Sequence, residues 1–233
     1  MKRKQVIKAV FFDLDGTLLN TLPDIARVVN YALSKNSLPV FGVEEYRDMV
    51  GWGLTKTIRM AVPEEIKDSE LLKKIRLEMQ NEYAANPVVG TVPYPGIMDM
   101  LREFQSRGTA MGILSNKDDA ITRKVVHTVL GEFTFAGVRG SSLDVPPKPD
   151  PTGMKLLLEK AGLSPGQMMF VGDTAMDMVT AGLIGAYPVG VSWGYRTEEQ
   201  LIDAGAQRIV HSPGQILDLF LEMSLDTRLD ALV

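Results

Sequence analysis

The 233-residue chain has no cysteine and only two histidines, His127 and His211. Without thiols there is no disulfide, no thiolate nucleophile and no cysteine-based zinc site. The two histidines lie far apart with nothing ligand-like beside them. A multi-histidine metal centre is therefore excluded, and histidine-assisted serine catalysis has no support. An excess of positive charge is also lacking: 25 Lys and Arg against 29 Asp and Glu give a net charge of −4. That balance offers no electrostatic basis for binding nucleic acid or an anionic membrane. No run reaches the roughly 18 apolar residues of a membrane-spanning helix. The opening MKRKQVIKAVFF imitates a secretion signal. However, its apolar part is short, Lys8 interrupts it, and Asp13 follows with no small-residue cleavage site. A cytoplasmic protein is expected, and the missing cysteines fit a reducing compartment.

What is present is 45% apolar and 23% charged, the balance of an ordinary globular chain. Residues 6–12 (VIKAVFF) read as a strand buried on both faces. Leu22, Ile25, Val28, Val29 and Leu33 recur at helical spacing, predicting a helix over 22–36 with Pro23 in its first turn. Shorter helices are expected over 43–50 and 54–62 and a long amphipathic one over 69–85, so 18–90 reads as wholly helical. The pattern changes after PYPG (93–96). Short strands at 110–114, 135–138, 168–171, 188–191 and 208–210 alternate with helices at 96–107, 118–130, 152–161, 175–184, 197–204 and 213–222. This alternation predicts an α/β fold, a parallel sheet covered by helices on both faces. The helical block is expected to be a separate domain inserted after the first strand, 18–90, with 1–17 and 91–233 forming the core.

Three apolar runs end alike: Phe11-Phe12 into Asp13, Ile113-Leu114 into Ser115-Asn116, and Phe170-Val171 into Gly172-Asp173. Ligands of open parallel sheets bind at the carboxyl ends of the strands, so these residues should meet in one crevice. Lys148 can reach the same edge from the stiff PPKPDP loop (146–151). Asp13, Asp15, Asp173 and Asp177 would crowd four carboxylates together, which is unfavourable unless cations balance them. An all-oxygen donor set selects a hard divalent ion, and Mg²⁺ suits carboxylates, waters and a substrate phosphate. Asp13 at the strand tip can act as nucleophile and form an aspartyl-phosphate. Asp15 can protonate the leaving oxygen and then deprotonate the attacking water. Gly16, with Thr17 beside it, lets exposed N–H groups approach phosphate. Ser115 and Asn116 offer hydrogen bonds, and Lys148 balances charge in the transferring group. Asp173 holds the metal; Asp177, one helical turn on, binds a metal water or orients Lys148.

DLDGT (13–17), LSN (114–116), KPDP (148–151) and GDTAMD (172–177) together resemble, in order, the four motifs of the haloacid dehalogenase superfamily. NTLPDI (20–25), VPYPG (92–96) and GVSWGYR (190–196) are similar to its phosphoglycolate phosphatase-like branch. The resemblance implies a Rossmann-like core with a helical cap inserted after the first motif. It implies a Mg²⁺-dependent phosphatase acting on a small phosphorylated metabolite, 2-phosphoglycolate first among candidates. By the same resemblance the metal is held by the side chain of Asp13, the backbone carbonyl of Asp15 and the side chain of Asp173.

Each motif also has a plainer reading. DLDGT suits a polar turn, GDTAMD a helix cap, and Lys148 a solvated loop. GWGLTKT (51–57) imitates a phosphate-binding loop but lacks the Gly-Lys-Ser/Thr ending and follows helix, not strand. By resemblance this loop faces the substrate, with Trp52 narrowing the pocket and Lys56 or Arg59 meeting a substrate carboxylate. The alternative is a turn with Trp52 packed in the insert's core. Other readings of the whole remain: a phosphosugar mutase or pyrophosphatase sharing the motifs, a C–halogen hydrolase, or a phospho-accepting signalling module. The metal-type residues argue against the halogen chemistry, and the length and the insert argue against the signalling module. Neither oligomeric state nor pathway is legible.

Overall fold

The computed structural model describes residues 6–67 and 70–224. The chain opens with β1 (Ala9–Phe12), and a short β2 (Leu19–Asn20) leads into α1 (Leu22–Lys35). A 3₁₀ turn at Glu44–Tyr46, α2 (Leu54–Ala61) and α3 (Glu70–Ala85) follow. After β3 (Val92–Pro93) come α4 (Ile97–Ser106), β4 (Ala110–Asp118), α5 (Asp119–Leu130), β5 (Gly137–Ser141) and α6 (Thr152–Ala161). The chain then runs through β6 (Met168–Gly172), α7 (Ala175–Ile184), β7 (Tyr187–Val191), α8 (Glu198–Asp203), β8 (Arg208–Val210) and α9 (Pro213–Ser224).

Six strands form one parallel sheet in the order β5-β4-β1-β6-β7-β8. Successive residues of a strand point to opposite faces, and β1 divides accordingly. Val10 and Phe12 join one apolar cluster with Phe104, Ile121 and Phe220, from α4, α5 and α9. Ala9 and Phe11 join the other, with Met154 and Leu157 of α6 and Ala181 of α7. Both faces are covered, which is why β1 is an unbroken apolar run. Phe11 lies beside Gly112 on β4, where an added Cβ would come within 2.9 Å of its ring.

The segment between β1 and α4 is mainly helical, with α1 packed along α3. Arg27 of α1 reaches Glu82 of α3 at 2.5 Å. Three expectations shift here. Residues 18–90 are not wholly helical: Leu19–Asn20 pairs antiparallel with Val92–Pro93, so the outgoing and returning connections satisfy each other's backbone groups. The helix expected over 43–50 is reduced to one 3₁₀ turn at Glu44–Tyr46, and the carbonyls of Arg47, Asp48 and Val50 beyond it accept from the Arg196 side chain. The helix expected from 69 is described from Glu70; residue 69 lies outside the described residues.

Two further differences lie near the strand ends. β4 runs on to Asp118 with a register shift between Leu114 and Asp118, and this irregularity carries Ser115, Asn116 and Lys117. β5 begins at Gly137 rather than 135 and passes so close to β4 that a Cβ on Gly140 would meet the Lys117 carbonyl at 2.5 Å.

Candidate active site

The sheet brings three carboxylates and one ammonium together. Asp13 leaves the tip of β1, its amide bonded to the Val171 carbonyl at 2.8 Å. Asp173 follows β6, and Asp177 lies in the first turn of α7. Oxygens of Asp13, Asp173 and Asp177 lie within 4.8 Å of one another. The buried Lys148 ammonium sits 2.8 Å from Asp13 Oδ1 and 2.6 Å from Asp177 Oδ1, and donates to the Leu114 carbonyl at 3.1 Å.

Each acid is held from behind. Thr17 Oγ1 donates to Asp173 Oδ1 and the Tyr195 amide to Oδ2, both at 2.8 Å. This support demands two glycines. A Cβ on Gly16, whose φ is +83°, would lie 2.3 Å from Asp173 Oδ2, and one on Gly194 would lie 2.1 Å from Asp173 Cβ. Asp177 Oδ2 accepts from Thr174 N at 2.9 Å and Thr174 Oγ1 at 2.7 Å, closing the N-terminus of α7. Capping and site membership thus coexist in GDTAMD.

The charge balance is uneven. Burial, then repulsion from Asp177, pushes the Asp173 carboxyl up to about 7. Burial also raises Asp13 well above the usual carboxylate range; Lys148 opposes this, and Asp177 and Asp173 add to it. Burial works against the Lys148 ammonium, but Asp13 and Asp177 outweigh it and keep it protonated. Three acids against one ammonium, with oxygen donors only, suit a hard divalent cation.

Asp15 stands apart from the expected group of four carboxylates. It accepts from Thr21 Oγ1 at 2.6 Å and pairs with the Lys117 ammonium. It lines the crevice beside Asp13, but its side chain is not one of the three clustered carboxylates. Lys117 is buried between Asp15 and the ring of Tyr83 from α3, 5.1 Å from its centroid. The buried Tyr83 hydroxyl has no hydrogen-bond partner among the described residues.

The expected phosphate-binding group divides. Ser115 lines the crevice, its hydroxyl accepting from the Lys117 amide at 3.2 Å. Asn116 also lines it, but its side chain is a brace: Oδ1 accepts from Lys148 N at 2.6 Å, and Nδ2 donates to the Gly51 carbonyl at 3.1 Å. The Gly16 amide, expected to face phosphate, is bonded to the Leu19 carbonyl at 2.9 Å. Thr17 spends its hydroxyl on Asp173, so both serve as supports in this arrangement.

Above the crevice lie Val50, Gly51, Gly53, Leu54 and Thr57. Trp52 is not packed in the insert's core: it is 37% exposed, carries Lys56 Nζ 3.6 Å from its ring centroid, and lines a neighbouring cleft. Neither Lys56 nor Arg59 lines the crevice; among its described lining residues the cation is Lys117. The crevice is narrow and partly open to solvent.

Sequence reasoning passed over Lys117, Thr21 and Tyr195. Lys117 directly follows Ser115-Asn116 and was findable by position, whereas Tyr195 acts through its backbone amide and leaves no residue-type signal.

The haloacid dehalogenase-like hydrolase profile matches residues 7–185. A phosphoglycolate phosphatase of Pseudomonas putida is 32% identical over 208 residues, covering 87% of this chain and 75% of the relative. The crystal structure of a predicted phosphoglycolate phosphatase from Haemophilus somnus 129pt superposes with a TM-score of 0.81 at 25% identity, covering 91% of this chain and 97% of that one. A haloacid dehalogenase-like hydrolase from Streptococcus pneumoniae superposes at 0.78, also at 25% identity, covering 92% and 98%. With its strand-end acids set around a buried lysine, the chain belongs to the haloacid dehalogenase-like hydrolases, as a phosphatase of the branch that resembles phosphoglycolate phosphatases.

Proposed function

We propose that the protein hydrolyses a small phosphorylated metabolite through an aspartyl-phosphate on Asp13, and that 2-phosphoglycolate is its first candidate substrate. The observation that carries this reading is the buried Asp13–Lys148–Asp177 chain with Asp173 alongside, opening on a crevice whose other acid is Asp15. Asp13 attacks phosphorus, and the bond to the leaving oxygen breaks as Asp15 gives that oxygen a proton. Asp15 then takes a proton from the water that releases phosphate. Lys148, fixed by Asp177 and the Leu114 carbonyl, offsets charge on the transferring group, and Ser115 supplies a hydrogen bond. A bound Mg²⁺, held by the Asp13 and Asp173 side chains and the Asp15 carbonyl, would neutralise the clustered acids and the phosphate.

We further infer that residues 18–90 act as a lid over the core formed by 1–17 and 91–233. The narrow crevice and the wall contributed by Val50 to Thr57 support a lid that excludes water over a compact substrate. A substrate carboxylate would meet Lys117 from the core or the N-terminus of α2 at Gly53–Leu54. We place the enzyme in the cytoplasm; no described helix is long and apolar enough to cross a membrane.

The test is kcat/KM for 2-phosphoglycolate beside glycerol 3-phosphate, hexose phosphates, nucleoside monophosphates and pyrophosphate. 2-Phosphoglycolate should lead by at least about tenfold, roughly 1.4 kcal/mol of transition-state preference. Another leader or a flat profile overturns the substrate. Conversion of a hexose 1-phosphate to the 6-phosphate would indicate a mutase, and phosphate release no greater than one per chain a phospho-accepting module.

A further inference from the structure

The loop after β7, Trp193-Gly194-Tyr195-Arg196, touches the carboxylate cluster and the helical insert at once. On the core side, the Tyr195 amide holds Asp173 Oδ2 at 2.8 Å and Trp193 Nε1 donates to the Thr17 carbonyl at 3.0 Å. The Tyr195 hydroxyl lies 3.2 Å from Thr21 Oγ1, which itself donates to Asp15. On the other side, Arg196 spreads its guanidinium over the insert's backbone. Nη1 donates to the Arg47 carbonyl at 2.8 Å, and Nη2 to the carbonyls of Val50 at 2.7 Å and Asp48 at 3.4 Å. Arg47 reciprocates, Nη1 donating to the Gly194 carbonyl at 2.8 Å.

These carbonyls belong to the chain that becomes the crevice wall. Immediately after Val50, Gly51 accepts from Asn116 Nδ2, and an added Cβ there would lie 3.0 Å from Thr174 Cγ2. The segment is therefore anchored on the core from both flanks, by Asn116 on one and by Arg196 together with the Arg47–Gly194 bond on the other. Several donors in a rigid fork fix direction as well as distance, which a lysine cannot reproduce.

We infer that Arg196 is a positioning residue that ties closure of residues 47–53 to the loop supporting Asp173. It touches neither substrate nor the reacting atoms. When the segment docks, the guanidinium seats Val50 and Gly51 over the cluster, and the same loop presents the Tyr195 amide to Asp173. When the fork is lost, the wall opens while the acids remain in place.

The consequence depends on substrate. A compact phosphate ester relies on the closed wall to exclude water and hold it. p-Nitrophenyl phosphate, with its bulky flat aromatic leaving group, depends less on contact with the closed wall. The experiment compares wild type with Arg196→Ala and Arg196→Lys in the full chain. Backbone hydrogen exchange over 47–53 should quicken at least about tenfold in Arg196→Ala, with the sheet unchanged. The ratio of kcat/KM on 2-phosphoglycolate to that on p-nitrophenyl phosphate should fall about tenfold, chiefly through a raised KM for the former. Arg196→Lys should stay defective, and added guanidinium should partly restore Arg196→Ala. Equal losses on both substrates with unchanged exchange over 47–53 would overturn the inference, as would full activity of Arg196→Lys. The kinetic arm rests on the phosphatase reading and its substrate; the exchange arm does not, so the two can fail separately.

Discussion

Asp24 at the start of α1 and Asp173 at the end of β6 are both fully buried, yet their surroundings treat the charge in opposite ways. One Asp24 oxygen accepts from the amides of Val89, Gly90 and Thr91 and from the Thr91 hydroxyl, at 2.7 to 3.0 Å. The other faces Arg27 at 3.2 Å. Burial alone would raise this carboxyl, but the bonds from Thr91, Val89 and Gly90 outweigh it and hold the acid below its usual range. Asp173 accepts two hydrogen bonds, faces Asp177, and is pushed up to about 7. The first acid is satisfied by the fold and pins the returning chain to α1. The second is left short of positive charge by the fold, as a site built to receive a cation and a phosphate would be.

Removing the nucleophile should give the largest effect. Asp13→Asn keeps the shape, and turnover should fall by about 10³-fold or more, roughly 4 kcal/mol of barrier, with thermal stability within a few degrees of wild type. Steady-state kinetics with a melting curve checks both halves. Near wild-type turnover would mean that the strand-end cluster is not the reacting centre.

The next effect falls on stability instead. Asp24→Ala leaves the amides of Val89, Gly90 and Thr91 and the buried Thr91 hydroxyl without this acceptor and should cost about 2 kcal/mol in denaturant unfolding, whereas activity per folded molecule should survive. Asp24→Asn keeps one acceptor oxygen and should cost less. Because the folded-state pKa of Asp24 is lowered, its stabilisation is present above the unfolded value of about 3.9 and is lost as pH falls through the folded value.

Asp173 should show the reverse sign and the smallest effect. Its folded pKa is raised to about 7, so between about pH 4 and 7 the folded protein binds more protons than the unfolded chain. Metal-free stability should therefore decline as pH rises through that window, and Mg²⁺ should offset more of the loss at pH 8 than at pH 5. Asp173→Asn should stabilise the metal-free protein at pH 8, on the order of 2 kcal/mol, while abolishing Mg²⁺ activation. The amide can still accept from Tyr195 N and donate to Thr17 Oγ1. Melting curves across pH, with and without Mg²⁺, read this directly.

The same contrast marks what the sequence could announce. Asp13 and Asp173 stand out because each ends an apolar strand, and strand ends meet by topology. Lys148 stands out through its proline-rich loop. Asp24 looks like any acid in a helix's first turn; its four main donors come from residues 65 to 67 positions away and exist only once the chain has returned. The path of 47–50 is equally hidden, since its carbonyls are held by Arg196, 146 to 149 residues distant. Lys117 could be suspected from its place after Ser115-Asn116, but its burial follows from the irregular end of β4. The six-stranded core and the clustering of Asp13, Asp173 and Asp177 were legible from local pattern, whereas the supports and the crevice wall depend on tertiary contacts.

The central claim is that Asp13 carries the phosphoryl group. Rapid mixing of enzyme, Mg²⁺ and 2-phosphoglycolate, followed by borohydride reduction and peptide mass spectrometry, tests it most directly. An aspartyl-phosphate at Asp13 would be reduced to homoserine, so the peptide containing DLDGT should carry that modification at residue 13 alone, and only when substrate is present. Efficient turnover with Asp13 unmodified, or with the modification on Asp15, Asp173 or Asp24, would contradict the account.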